Sequence, residues 1–173
     1  MRLSLTKIKH QTALIEEYRL CEPLPSPVAY GYTHFVLDNP VHFCGHVTNK
    51  GDGLFLVDGN YQTEVELRCS RCLSSFKLPV SGDIHALYGA EAKDDYDGEV
   101  AVHAFLGNAI DISELLMNEI SFFLPMQPLC REACLGLCPV CGADQNSGAC
   151  SCSKEKIDPR WEKLATLKID RKA

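Results

Sequence analysis

The sequence predicts an α+β fold: a mainly antiparallel β-sheet or partly open barrel with packed helices, followed by a C-terminal cysteine-rich module. Three observations carry this. Between residues 32 and 87 apolar residues recur with the period of two that marks half-buried strands. Residues 112–123 carry a broad apolar stripe at helical spacing. Six cysteines fall within the 23 residues from Cys130 to Cys152, and a distant pair, Cys69 and Cys72, repeats the spacing of Cys138 and Cys141.

Taken in order, residues 1–9 read as an edge strand, with Leu3, Leu5 and Ile8 alternating with polar residues. Residues 11–20 fit a short helix or an irregular segment. Pro23, Pro25 and Pro27 break the chain, since proline lacks an N–H and fixes φ. Residues 41–47 read as a strand, with Cys44 buried in it. Gly51-Asp-Gly53 is a turn, and Asp58-Gly-Asn60 reads as a second one of the kind that closes hairpins. Tyr61, Thr63, Val65 and Leu67 share one strand face. A further strand pattern runs from Leu73 to Leu87, interrupted at Ser81-Gly82. Cys69-Ser-Arg-Cys72 sits at the turn between these two strands. Residues 89–99 carry a net charge of −4 and read as a mobile loop, and Val100 to Leu106 as a brief strand. Asp111 and Glu114 suggest a capping box for a helix ending near Phe122, before Pro125. Asp158-Pro159 suggests the start of a last helix docked by Trp161, Leu164, Ala165 and Leu167. The expected organisation is a β-rich core over 1–125 and a cysteine module with a C-terminal helix over 126–173.

At 173 residues and 46% hydrophobic composition the chain can bury a modest core. No stretch approaches the 18 apolar residues of a membrane span, and the opening residues lack an export-signal core. A cytoplasmic setting, reduced thiols and no membrane partner are therefore expected. Ten cysteines in a reducing setting point to metal rather than disulfides. The formal charge of −6 argues against loose, non-specific nucleic-acid binding, although residues 153–173 are locally basic, with a net +3.

Cysteines three residues apart can chelate one tetrahedral ion, and Gly142 relieves crowding after the turn. The reading favours Cys138, Cys141, Cys150 and Cys152 as one zinc-ribbon-like site, and Cys69, Cys72, Cys130 and Cys134 as another. Other partitions of the eight thiols, and a single occupied site, stay open. One or two structural zinc ions are expected. Cys21 and Cys44 read as ordinary thiols, and His42 and His46 as residues of one strand face.

No residues suggest catalysis. A catalytic zinc needs an open position and a nearby base, and none of the six histidines lies beyond residue 103. No phosphate-binding glycine loop is present. A non-enzymatic protein without a small-molecule substrate is expected. Arg68, Arg71 and Lys77 surround the first knuckle and Arg131 lies among the later cysteines, so these four are the candidate RNA contacts. The competing reading is charge compensation of a thiolate shell.

The order of motifs carries a resemblance. Cys69-Ser-Arg-Cys-Leu73, then Asp111 and Glu119, Leu124-Pro125, Pro128-Leu-Cys-Arg-Glu-Ala-Cys-Leu-Gly-Leu-Cys-Pro-Val-Cys-Gly142 and Ile157-Asp-Pro-Arg-Trp-Glu-Lys-Leu164 together resemble the bacterial YceD family, described as large ribosomal RNA subunit accumulation proteins. The resemblance spans nearly the whole chain and is specific from Cys69 onward. It implies a role in accumulation of large-subunit ribosomal RNA, and the family has plant plastid relatives. Cys69 and Cys72 match its most widespread pair, and the other six cysteines match its metal-rich version. The resemblance therefore implies a ribosome-biogenesis factor whose partner is precursor RNA of the large subunit or a ribosomal protein. The alternative is a zinc-stabilised protein-interaction adaptor without direct RNA contact.

Overall fold

A computed structural model describes residues 1–24, 28–30, 33–35, 37, 39–92, 101–148 and 150–152. Its centre is a curled five-stranded sheet in the order β2(Ile15–Glu22), β5(Val41–Gly51), β6(Leu54–Arg68), β7(Ser75–Gly89) and β8(Val102–Ala104). Pairing is antiparallel except between β7 and β8, which run parallel. The sheet is thus mainly antiparallel, as expected, and mixed through that one short parallel pairing. Two short antiparallel pairs complete the strands: β1(Arg2–Ser4) with β9(Ala109–Asp111), and β3(Val28–Tyr30) with β4(Thr33–Phe35). One α-helix, α1(Ser113–Phe123), lies among the described residues, where the sequence suggested one or two before residue 125.

The alternation in β6 is as read: Tyr61, Thr63, Val65 and Leu67 are buried, while Gln62, Glu64 and Arg68 face out. Val41, Phe43 and Val47 of β5, and Val80, Ile84 and Ala86 of β7, complete the inner face. Ile112 at the N-cap of α1, with Leu116 and Ile120 of the helix itself, closes over it, as their helical spacing allows.

Several expectations are corrected. Residues 15–22 form a strand, not a helix, because Tyr18 and Leu20 alternate inward with the period of the sheet. The opening segment is not an edge of the main sheet. β1 pairs with β9, and Leu3, Leu5 and Ile8 are fully buried. Cys44 is exposed, because β5 turns Phe43 into the core. Asp111 accepts from the Ser113 N–H at 2.9 Å rather than from Glu114, and Ile112 occupies the N-cap without a side-chain bond.

Asp58-Gly-Asn60 is no turn: β6 continues through it as the sheet curls. Gly59 faces Gly45 across the β5–β6 ladder on the inner side, where alternation would demand a side chain. A Cβ on Gly59 would lie 2.7 Å from the Cys44 carbonyl oxygen and 2.8 Å from the Phe43 ring. The glycine pair lets the backbones close beneath that ring, and glycine in a strand interior commonly marks such a bend. β7 likewise continues through Ser81 and Gly82. Most of the acidic 89–99 loop, and the expected last helix, lie outside the described residues.

Candidate metal centres

The turn between β6 and β7 is a knuckle built by backbone hydrogen bonds. Cys69 N donates to Ser74 O at 2.9 Å, and Leu73 N donates to Cys69 O at 3.0 Å. The Arg71 N–H points at Cys69 Sγ, 3.5 Å away. The turn at Cys138 repeats all three bonds: Cys138 N to Ala143 O at 2.8 Å, Gly142 N to Cys138 O at 2.9 Å, and Val140 N to Cys138 Sγ at 3.4 Å. Leu73 and Gly142 occupy the same place in the two turns, both with positive φ, 62° and 74°. Glycine adopts that conformation freely and leucine does not.

The knuckles are completed from different parts of the chain. Ser70 N donates to Pro128 O at 2.8 Å, and Leu137 N to Arg71 O at 3.2 Å, which lays residues 128–137 along the hairpin end. Cys130 and Cys134 thereby meet Cys69 and Cys72: Cys69 Sγ is 3.8 Å from Cys134 Sγ, and Cys72 Sγ is 3.6 Å from Cys130 Sγ. Cys150 and Cys152 join Cys138 and Cys141, with Cys141 and Cys150 sulfurs 3.6 Å apart. Within each quartet all four sulfurs lie within 4.8 Å of one another. These are the two groups that the sequence reading favoured. The first spans the 125/126 boundary between the expected domains.

The donor chemistry fits a tetrahedral ion. Metal–sulfur bonds of about 2.3 Å place sulfurs about 3.8 Å apart at the corners of a tetrahedron. A disulfide needs sulfurs about 2.05 Å apart, and all ten cysteines are free. The electrostatics point the same way. The backbone N–H of Cys72, with those of Cys130 and Arg71, outweighs burial and holds the Cys69 thiol down at about 6. The Cys141 and Val140 N–H groups hold Cys138 down at about 6. Burial, and then the side chain of Cys72, push Cys130 up to about 12. The Cys141 and Cys150 side chains push Cys152 up to about 12. Four adjacent thiols cannot all ionise unless a cation shares the space.

The four basic candidates divide. Arg71 donates from Nη1 to the carbonyl of Cys134 at 2.9 Å, and Arg131 donates to Asn146 Oδ1 at 2.7 Å. Both brace the cysteine segments. Lys77 lies 3.7 Å from Glu64, and Arg68 is exposed on the outer sheet face.

Asn146 is a site residue that sequence reasoning missed. It sits in a 3₁₀ turn, Gln145–Ser147, between Cys141 and Cys150. Its Oδ1 accepts from Leu135 N at 2.9 Å, and its Nδ2 reaches Cys134 Sγ at 3.5 Å. The available signal was Asp144, two residues earlier, whose carboxylate accepts from the Asn146 N–H at 2.9 Å.

The profile of the family described as "Large ribosomal RNA subunit accumulation protein YceD" matches residues 57–168. The chain belongs to the YceD family. The match takes in all eight clustered cysteines and the strands that present the first knuckle. Among curated relatives, an uncharacterized protein of Mycobacterium tuberculosis (strain ATCC 25618 / H37Rv) is 33% identical over 114 residues, 65% of this chain and 55% of that protein. One from Mycobacterium leprae (strain TN) is 29% identical over 116 residues, 65% of this chain and 52% of that protein. An Arabidopsis thaliana protein named "Large ribosomal RNA subunit accumulation protein YCED homolog 1, chloroplastic" is 26% identical over 157 residues, 75% of this chain and 49% of that protein. The chain spans about half the length of these curated relatives. No solved structure matches it. Among the described residues no helix is long and apolar enough to cross a membrane.

Proposed function

We propose that this chain is a non-enzymatic ribosome-biogenesis factor that supports accumulation of large-subunit ribosomal RNA by binding its precursor or a ribosomal protein. Family membership carries this reading, since the family's name ties it to the large ribosomal RNA subunit. In the same proposal both cysteine quartets hold structural zinc. Four thiolates close a tetrahedral shell and leave no position for a substrate or an activated water. Zinc here neutralises thiolates, fastens residues 128–137 to the β6–β7 hairpin through the first quartet and closes residues 138–152 through the second.

One observation favours a protein partner over direct RNA contact. Arg71 and Arg131 are engaged inside the cysteine region, and Lys77 stands against Glu64. Arg68 alone of the four candidates does not make a continuous basic patch. The outer sheet face is of mixed charge, with Glu17, Asp58, Glu64, Glu66 and Asp83 beside Arg19, Lys50, Arg68 and Lys77, and it carries no Phe, Tyr or Trp on the central strands β5 and β6, whereas single-stranded RNA platforms combine continuous basic grooves with aromatic stacking. A basic ribosomal protein is the matching partner in this reading.

The test is to purify the tagged protein from its own cells before and after nuclease treatment. Large-subunit precursor RNA that stays bound after ribosomal proteins are stripped supports direct RNA binding. A ribosomal protein retained after nuclease supports the adaptor reading. Recovery of neither contradicts both.

A further inference from the structure

The outer face of the five-stranded sheet carries chemistry that neither quartet uses. At one row of the ladder Glu17 pairs with His46, His46 with Asp58, and Asp58 with His85. Acid and imidazole thus alternate across four adjacent strands. All four side chains take the outward positions, because the neighbouring Val47, Val57, Ile84 and Ala86 are buried. Asp58 serves the two histidines with separate oxygens: Oδ1 accepts from His85 Nδ1, and Oδ2 lies 3.8 Å from His46 Nε2. Exposed ion pairs add little to stability, so folding alone does not account for the row.

We propose that Asp58, His46 and His85 form a third cation site, selective for a divalent transition ion that prefers nitrogen and oxygen donors. Two imidazoles and a carboxylate are the donor set of such ions, whereas the quartets offer only sulfur. Adjacent strands stand about 4.8 Å apart, so the carboxylate is midway between two imidazoles that can fold over it. Closing the set requires rotation of the imidazoles. His85 is 69% exposed and His46 42%, so solvent gives both room to turn once the ion replaces the His85–Asp58 hydrogen bond, while Asp58, at 27%, is the least exposed of the three. Glu17 flanks His46 on its other side and offers a second carboxylate to orient that ring. Three protein ligands leave positions open toward solvent, where an oxygen from a partner can enter. The ion is therefore exchangeable, unlike one enclosed by four thiolates.

The test adds Co²⁺ to the full chain as purified, with its resident metal in place. Cobalt held by nitrogen and oxygen gives weak visible bands; cobalt held by thiolates adds intense near-ultraviolet charge-transfer bands. The expected result is one additional ion per chain with the weak bands alone. Asp58→Asn and His85→Gln should each weaken that binding by about tenfold or more. His42→Gln, two rows away on the same face, should leave it unchanged. The proposal is overturned by the absence of an additional ion, by thiolate bands alone, or by binding that survives Asp58→Asn. It is equally overturned if His42→Gln abolishes binding, which would place the ion beside Cys21, 3.8 Å from that ring. If circular dichroism shows Asp58→Asn unfolded, the exposed His85→Gln variant decides. Failure of the zinc-quartet reading would appear separately, in the resident metal content.

Discussion

Asn146 donates from Nδ2 to the sulfur of Cys134 at 3.5 Å, and so joins the loop of one cysteine quartet to a thiol of the other. The same amide accepts from Leu135 N and Arg131. The two quartets are therefore neighbours braced through one side chain rather than independent beads.

Asn146→Ala should accordingly destabilise the cysteine region by about 0.5–1.5 kcal/mol, because it removes hydrogen bonds to the solvent-exposed Leu135 N–H and to the part-buried Cys134 sulfur. That corresponds to a fall of roughly 2–4 °C in Tm per kcal/mol. Metal affinity of the first quartet should fall by about tenfold or more. Thermal melts and chelator competition measure the two effects.

Cysteine replacements should grade by position. Cys69→Ser, at a fully buried sulfur that ties the hairpin to residues 128–137, should unfold more of the chain than Cys141→Ser, whose side chain is exposed. Binding energies of about 10–16 kcal/mol for a structural zinc rival the whole net stability of a domain. Cys21→Ser and Cys44→Ser, both at exposed thiols outside the quartets, should leave zinc content and Tm unchanged. Metal analysis alongside far-ultraviolet circular dichroism separates these classes.

The grouping of the cysteines into two quartets was legible from sequence because knuckle spacing is a local constraint: two sulfurs three residues apart on a tight turn point to one side. The β6 alternation was legible for the same reason. Asp58-Gly-Asn60 misled because a glycine that bends a strand and one that turns a hairpin look alike until the facing Gly45 and Phe43 are known. Residues 15–22 misled because a strand half covered on its inner face carries a weak apolar pattern, with Glu16 and Glu22 on the same side as Tyr18 and Leu20. Asn146 was invisible because its role lies in a contact 12 residues away.

Gly59→Ala should cost about 1–3 kcal/mol, since the added methyl meets the Cys44 carbonyl and the Phe43 ring. Gly53→Ala is a contrast: it has open space around it, so its cost comes only from a φ of 74°. Denaturant unfolding of both variants distinguishes steric from backbone strain.

Acidification should release the metal, with a defined sign. The Cys69 and Cys138 thiols are depressed from an ordinary 9.0 to about 6. Their ionised forms therefore stabilise the fold above about 9, and that contribution is lost as pH falls through about 6. Cys130 and Cys152, raised to about 12, act oppositely in the metal-free chain: their stabilisation is in place below about 9 and is lost as pH rises through about 12. With one thiol of each quartet already largely ionised at neutral pH, zinc uptake should release fewer than four protons per quartet. Calorimetry in buffers of different ionisation enthalpy counts them.

In the proposed reading two closed thiolate quartets hold zinc: the first fixes residues 128–137 to the β6–β7 hairpin, and the second closes residues 138–152 on themselves. Native mass spectrometry of the full chain tests it most directly. The expected mass is that of the chain with two zinc ions, falling to one for Cys138→Ser. A metal-free chain with its cysteines oxidised in pairs, or two zinc ions retained by Cys138→Ser, would contradict it.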